Sequence, residues 1–347
     1  MRLLIVRLSA MGDIIHAMPA VSALRRHRPD AFIGWAIEER WAPLLTSRCA
    51  QHIGMRGAPE QPLVDAVHFV SLKRWKSAPL AKQTRRAIAI TRSELRAQHY
   101  DAAIDLQGAI RSAVLAKMSG ASKLIGEARP RESPARLWFD QKVETRAVHV
   151  IEQAHELICG FLHQQLPIAS TEFPRDPAAE QWAEDLIRGH MPFAILNPGA
   201  GWGAKCWPAE RYGKVASILK KNSITSFVNV GPGEFHLGAE VAARSAGATS
   251  VVECSIPQLI ALTRRAALFI GGDTGPVHLA SALQIPVVAI FGPTDPRRNG
   301  PFNSPNVVLR HPESKRDHSR RPEPEQGLLT ITVDEVVEAS LQLLARK

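Results

Sequence analysis

Short apolar runs alternate through both halves of the chain with segments whose apolar residues have helical spacing. Several runs are nearly continuous in Val, Ile, Leu and Phe, which is typical of parallel strands covered by helices on both faces. The predicted strands are residues 3–8, 32–37, 67–70, 102–106 and 124–126, then 193–197, 226–230, 251–252, 268–271 and 287–291. The pattern predicts an α/β protein in which one β/α series occurs twice.

The chain is long enough for two such domains, because its 347 residues exceed the ~100–200 of an ordinary domain. The polar, proline-containing residues 169–191 predict a linker between an N-terminal domain at 1–168 and a C-terminal domain at 192–326. Residues 327–347 predict a final helix that could pack back on the N-terminal domain. Open α/β sheets bind ligands outside the carboxyl ends of their strands, so the loops that follow strands should contain the chemistry.

The composition limits the class of protein and of partner. Hydrophobic residues make up 45% of the chain and charged residues 22%, as in globular proteins. A formal net charge of +10 predicts an anionic partner, which could be nucleic acid, an acidic lipid surface or a phosphorylated substrate. Arg7 interrupts the first apolar run too early for a signal peptide or a membrane span. The cysteines are widely spaced, which predicts reduced thiols in a cytoplasmic protein instead of a zinc site or disulfides. They are Cys49, Cys159, Cys206 and Cys254.

The strongest local motif is Phe269–Ala280, in which a predicted strand ends in two glycines before Asp273 and Thr274. Pro276 suits the first turn of a helix, because its missing N–H would have been unpaired there. The free N–H groups and the dipole at such a helix start could bind a diphosphate. The alternative is an ordinary turn in which Asp273 or Thr274 caps the helix and His278 lies in the core.

A glycine-rich loop follows the predicted strand 193–197 and ends at Lys205. Its small residues allow the backbone to approach a phosphate, and Lys205 could neutralise a leaving diphosphate. A solvated lysine is the alternative. The loop contains neither a Walker sequence nor a full dinucleotide fingerprint, which argues against an ATPase and a dinucleotide-dependent enzyme.

A third motif, Arg7–Ala17, follows the first predicted strand. Asp13 comes directly after Gly12, where the loop turns into a helix, so it could be a helix cap. It could equally be a general base, because an ionised carboxylate can accept the proton of an attacking hydroxyl. The residues alone leave both roles open.

In this order and spacing, the three motifs resemble glycosyltransferase family 9, the lipopolysaccharide heptosyltransferases. The resemblance covers Leu3–Pro301, and Ser9–His16 resembles the members that add heptose to Kdo. Further similar segments are Tyr100–Gly108, Lys205–Pro208, Gly231–Glu234, Asp273–His278 and Phe291–Pro296. The family implies a GT-B fold, with two Rossmann-like domains facing across a cleft. It also implies inverting transfer of L-glycero-D-manno-heptose from ADP-heptose to Kdo of a lipid A precursor.

The resemblance implies that Asp13 is the base and that Lys205 lies beside the donor diphosphate. Asp273 would hold sugar hydroxyls, Glu234 the ribose, and Cys254 would lie against adenine. The expected donor-binding residues are Ala200, Gly201, Glu234, Cys254, Asp273, Thr274, Gly275 and His278. The family pattern and the basic residues of the first half predict acceptor binding by Ser9, Gly12, His16, Lys73, Arg74, Lys76, Gln107 and Arg131. We expect no cofactor and no metal, because a helix start and a lysine can stabilise the departing charge.

The expected partners are an ADP-sugar and an anionic Kdo–lipid A acceptor, with peripheral association at the anionic inner face of the inner membrane. Nucleic acid is not expected, since no binding motif accompanies the charge, and we expect a monomer. Two alternatives stay open: a family member with another donor sugar or acceptor, and a non-catalytic nucleotide-sugar or lipid-binding module. Asp13 together with Lys205 favours catalysis, because binding alone needs no base. The charged, proline-rich stretch Arg310–Gln326 lies beyond the resemblance and receives no role.

Overall fold

A computed structural model describes residues 1–47, 57–317 and 319–346. It divides into two compact units between Arg175 and Asp176. Each unit contains one six-stranded sheet whose neighbouring strands are all parallel. The α/β class predicted from the apolar runs is therefore confirmed. Cys49 lies outside the described residues.

The first unit is built from six strands, five α-helices and two short 3-10 helices within its described residues. The strands are β1 (Arg2–Val6), β2 (Phe32–Glu38), β3 (Ala66–Val70), β4 (Ala102–Asp105), β5 (Lys123–Glu127) and β6 (Gln141–Val143). The helices are α1 (Met11–His27), α2 (Leu72–Ser77), α3 (Lys82–Ala97), α4 (Ile110–Met118) and α5 (Val150–Leu162), with 3-10 turns at Glu39–Leu44 and Ser133–Trp138. The sheet order is β3-β2-β1-β4-β5-β6.

The second unit repeats this plan. Its strands are β7 (Phe193–Asn197), β8 (Thr225–Val230), β9 (Thr249–Glu253), β10 (Leu268–Gly272), β11 (Val287–Phe291) and β12 (Asn306–Arg310). Its helices are α6 (Pro177–Leu186), α7 (Ala209–Lys221), α8 (Phe235–Arg244), α9 (Ile256–Thr263), α10 (Gly275–Ala282), α11 (Pro296–Asn299), α12 (Gln326–Thr330) and α13 (Val333–Ala345), with a 3-10 turn at Gly203–Lys205. The sheet order is β12-β11-β10-β7-β8-β9.

The central strands are buried on both faces, as their continuous apolar runs predicted. In β1, the consecutive residues Leu3, Leu4 and Ile5 are all fully buried. Adjacent strand residues point to opposite faces, so both faces of the sheet are covered. All ten predicted strands form. The two that were missed, β6 and β12, are outer strands of their sheets, and their short runs are only partly buried.

Two predictions about domain limits differ from the structure. The expected linker at 169–191 contains α6, which packs against α9 of the second unit. The final helix, α13, places Val336 and Leu343 in a core cluster with Tyr212 and Leu219 of α7. Its apolar face therefore packs on the core of the second unit.

The strand order reverses beside the first strand of each unit, and this reversal positions the site. In the first unit β1 lies between β2 and β4, and in the second β7 lies between β8 and β10. Connections leave such a pair of central strands toward opposite faces, which opens a crevice at their carboxyl ends. The loops after β1 and β4 meet in one unit, and the loops after β7 and β10 meet in the other.

Candidate functional site

The loop after β10 is short and leads directly into α10. Asp273 and Thr274 separate the strand from the helix, which begins at Gly275 and has Pro276 in its first turn. The Thr274 hydroxyl donates a hydrogen bond to the carbonyl of Gly272 at 3.2 Å and does not cap the helix. The first N–H groups of α10 therefore receive no cap from the Thr274 side chain, in contrast to the capping role that the sequence left open.

The loop after β7 is fixed at its start by two buried amides. The Asn197 side chain donates to the carbonyl of Gly199 at 2.9 Å, and Asn229 of β8 donates to the Asn197 side-chain oxygen at 2.7 Å. Sequence reasoning gave neither amide a role. The sequence contained the signal for both, because Asn197 is the last residue of buried β7, Asn229 is the second-last of buried β8, and a buried amide needs a polar partner.

Lys205 and Asp273 join these two loops. The Lys205 Nζ lies 2.5 Å from Asp273 Oδ2 and 3.2 Å from the Asp273 carbonyl oxygen. Both side chains are largely buried, at 12% and 5% exposure. An ammonium group has three donors, so these two contacts leave the third for a ligand. Lys205 is thus not the freely solvated lysine of the alternative interpretation.

His278 occupies the second oxygen of Asp273, with its Nε2 3.0 Å from Oδ1. Burial alone would raise the pKa of the Asp273 carboxyl, but hydrogen bonds and charges of His278 and Lys205 outweigh burial and hold this pKa well below its usual range. The ionised carboxylate can only accept, so Nε2 carries the proton of this hydrogen bond. The network fixes the loop before α10.

Trp202 is a further member of the site that sequence reasoning passed over. The Lys205 Nζ lies 4.4 Å from the centre of its indole ring, a cation–π distance. The ring therefore limits the positions that the ammonium can take. The sequence signal was a tryptophan between two glycines, because a tight turn alone does not require an aromatic side chain.

The remaining donor-site candidates lie at the ends of β7, β8 and β9. The Glu234 carboxylate accepts from the Gly231 N–H at 2.9 Å, and a Cβ on Gly199 would approach it to 2.1 Å. Glu234 therefore packs directly on the Lys205 loop. Cys254 follows β9, and burial raises the pKa of its thiol to about 12, so it stays protonated. Ala200 is half-buried, and Gly201 is exposed with open space around it.

At the first sheet, Asp13 lies in the opening turn of α1 and is 41% exposed. Its Oδ1 is 3.1 Å from Arg7 Nη2, and its Oδ2 accepts from the Ala10 N–H at 3.1 Å. Asp13 is thus a helix-start residue and an accessible carboxylate at once. The two roles left open by the sequence are compatible, because the contacts with Arg7 and Ala10 leave much of the group in solvent.

Gln107 connects the loops after β1 and β4. Its side-chain oxygen accepts from the Leu8 N–H at 2.8 Å, and its own N–H donates to Asp105 at 2.8 Å. Burial raises the pKa of Asp105 to about 6, although hydrogen bonds from Gln107, Ser112 and Gly108 oppose this shift. The buried Gln107 side chain therefore holds the two loops together.

The other expected acceptor residues are not in one cluster. His16 is buried and packs edge-on against His149, whereas Ser9 and Gly12 are half-buried. The exposed Lys73, Arg74 and Lys76 lie on α2 after β3, and the exposed Arg131 follows β5. These strands are four spacings, about 19 Å, apart. The cations therefore flank the β1 and β4 loops from two sides.

Across the described ranges, no group of three or more His, Cys, Asp or Glu side chains is arranged to hold a metal ion. In the same part of the chain, no helix combines the length and the apolar character that crossing a membrane requires.

Known proteins resemble this chain in sequence and fold. Residues 88–329 match glycosyltransferase family 9 (heptosyltransferase). Lipopolysaccharide heptosyltransferase 1 of Escherichia coli K12 is 26% identical over 316 residues, which cover 90% of this chain and 94% of that protein. Lipopolysaccharide heptosyltransferase 3 of the same strain is 24% identical over 304 residues, covering 82% and 80%.

A solved structure, the E. coli heptosyltransferase WaaC with ADP, matches with a TM-score of 0.80 at 24% identity. The match covers 99% of this chain and 100% of that one. The GT-B fold implied by the sequence resemblance is therefore confirmed.

The Lys205–Asp273 pair gives a testable pH dependence. Lys205→Met should lower the free energy of unfolding at pH 7 by about 3–5 kcal/mol, because it removes one of the two partners of a buried carboxylate and leaves only His278 beside it. The pKa of Asp273 is lowered by folding, so its contribution is present above the unfolded pKa of about 3.9 and declines as pH falls below it. The deficit of the variant should therefore shrink between pH 7 and pH 3.

Urea unfolding followed by tryptophan fluorescence measures this difference at each pH. Lys214→Met, which removes an exposed lysine of α7, is the matched control and should stay within about 0.5 kcal/mol of wild type. A Lys205→Met protein as stable as this control at pH 7 would show that the pair does not hold the loops.

Proposed function

Because the chain belongs to glycosyltransferase family 9, we propose that it transfers L-glycero-D-manno-heptose from ADP-heptose to Kdo of a lipid A precursor, inverting the sugar carbon. The observation that carries the proposal is the Lys205–Asp273–His278 network at the start of α10. It combines unpaired helix N–H groups, a cation and an ionised carboxylate in one place. These features suit a nucleotide diphospho-sugar, whose diphosphate is an anion and whose sugar hydroxyls donate hydrogen bonds.

The second unit would bind the donor. The N–H groups of Gly275 and Val277 and the positive end of the α10 dipole suit the diphosphate. The third N–H of Lys205 would reach the same group and stabilise the charge that grows as the sugar–phosphate bond breaks. Each Asp273 oxygen keeps a lone pair, so the carboxylate can also accept from sugar hydroxyls. Thr274 and His278 support the loop.

The nucleoside would extend across the ends of β7, β8 and β9. Ala200 and Gly201 leave room for the diphosphate, and Glu234 is positioned for ribose hydroxyls. Cys254 follows at the next strand end, where its protonated thiol can pack against a base. Diphosphate, ribose and base would thus use neighbouring strand ends in the order of the sheet.

Asp13 would act as the general base. It would take the proton of the acceptor hydroxyl as the new C–O bond forms, while ADP leaves from the opposite face of the sugar carbon. That direction of attack produces inversion. The contacts from Arg7 and the Ala10 N–H would keep the carboxylate oriented.

The acceptor would bind at the first unit, with its phosphates and carboxylates between α2 and Arg131. Ser9, Gly12, His16 and Gln107 would shape the β1 and β4 loops around it. A net charge of +10 supports peripheral association with the anionic inner face of the inner membrane, and the chain would act there as a monomer. The similarity to heptosyltransferase 3 supports a second candidate, transfer of heptose to another position of the lipopolysaccharide core.

Incubation with ADP-heptose and Kdo–lipid A, beside UDP- and GDP-linked sugars, tests this function. We expect a heptosylated product with inverted anomeric configuration from ADP-heptose. Transfer only to an acceptor that already carries heptose would favour the second candidate. Nucleotide-sugar binding without any product would favour a binding module and contradict the proposal.

Asp13→Asn should reduce kcat by roughly 10²–10⁴ with ADP affinity within about two-fold of wild type, because a base acts on the acceptor hydroxyl. Asparagine keeps an oxygen for the Ala10 N–H, so α1 should begin normally. Steady-state kinetics and calorimetry measure both quantities. Asp334→Asn is the matched control, since Asp334 also lies exposed in the first turn of a helix. A kcat above about a tenth of wild type would remove Asp13 from this role.

Replacing Lys73, Arg74 and Lys76 together by alanine should raise the acceptor KM, flatten its salt dependence and weaken binding to anionic liposomes. Each basic residue near such a surface contributes ~1 kcal/mol, and salt screens exposed charges. Alanine at Lys214, Lys220 and Lys221 removes the same charge from the second unit as a control. Weaker donor binding with unchanged acceptor KM would reverse the assignment of the two units.

A further inference from the structure

The stretch between β12 and α12 crosses the carboxyl edge of the second sheet. We call residues 315–317 and 319–325 the strap. At one end the Asp317 N–H donates to the carbonyl of Pro293, after β11, at 3.1 Å. At the other, the Ala204 N–H donates to Arg321 and the Glu325 N–H donates to Ala204, at 3.0 and 3.2 Å. Because β10 lies between β11 and β7, the strap passes the loop that contains Asp273.

The strap is held closely against the Lys205 loop. A Cβ on Gly203 would lie 1.5 Å from the Pro322 carbonyl oxygen, so this approach requires glycine. Arg316 forms an ion pair with the buried Asp295, which also pairs with Arg297. These contacts fix both ends of the strap on the second unit and make its basic residues part of that edge.

Arg320 of the strap lies over the same indole ring as Lys205. Its guanidinium carbon is 5.8 Å from the centre of Trp202, and the Lys205 Nζ is 4.4 Å from it. Asp273 compensates the charge of Lys205, and Asp317 that of Arg321. Within the described ranges, Arg320 has no carboxylate partner. Arg320 is exposed, and its guanidinium lies over the same ring as Lys205, where an anion can reach it.

We propose that Arg320 binds the diphosphate of the nucleotide donor as a second cation, and that Trp202 positions it together with Lys205. The inference rests on the proposed function, because the donor supplies the diphosphate. A planar guanidinium offers paired donors that match phosphate oxygens, which an ammonium cannot do. Since Asp273 already neutralises Lys205, a dianionic group there requires a further cation, and Arg320 supplies it.

Arg320→Ala tests this contact by calorimetric titration with ADP and AMP. We expect ADP affinity to fall about 5–20-fold and AMP affinity to fall less, because charge-assisted hydrogen bonds to the second phosphate are lost. Arg320→Lys should lie between wild type and Arg320→Ala. Arg321→Ala is the matched control, since this neighbouring exposed arginine is paired with Asp317. It should bind ADP within about two-fold of wild type.

The outcomes separate this inference from the proposed function. If the Arg320→Ala variant binds ADP with wild-type affinity, the proposed contact between Arg320 and the diphosphate is wrong, whereas the proposed donor site is unaffected. An equal loss in Arg321→Ala also overturns it, because the effect would then be general electrostatics. A wild-type protein that does not bind ADP overturns the proposed function, and the inference falls with it.

Discussion

The ion pair between Lys205 and Asp273 is the interaction on which the second unit's site depends. It joins the loops after β7 and β10, the two strands beside which the sheet order reverses. Both charges are largely buried, so removing Asp273 would leave the Lys205 ammonium without this counter-charge, and removing Lys205 would leave Asp273 with His278 alone. The pair therefore fixes where α10 begins and where the remaining ammonium proton points, and His278 and Trp202 reinforce that geometry.

In the first unit, the loops after the two central strands are joined by hydrogen bonds instead of an ion pair. The Gln107 side chain and the contact of Arg7 with Leu106 connect the loops after β1 and β4. Asp105, buried at the end of β4, accepts hydrogen bonds within its own loop. Asp13 remains partly exposed in the first turn of α1, beside these loops. The unit thus offers an accessible carboxylate, whereas the other offers a cation and free N–H groups.

Sequence reasoning reached the fold and the positions of the site loops because continuous apolar runs and helix-start residues are local signals. It missed β12, whose apolar run is short, and treated α6 as a linker because prolines surround it. It could not foresee that Lys205 pairs with Asp273, nor that Gln107 is buried between two loops. These contacts join residues distant in the chain, and only the sheet order brings them together.

A crystal structure of the protein soaked with ADP would show whether the β7 and β10 loops of the second unit hold the nucleotide. We expect diphosphate oxygens within hydrogen-bond distance of the Gly275 and Val277 amides and of Lys205 Nζ, with the Lys205–Asp273 contact retained. Diphosphate density at the carboxyl ends of β1 and β4 instead, with the α10 start unoccupied, would contradict it.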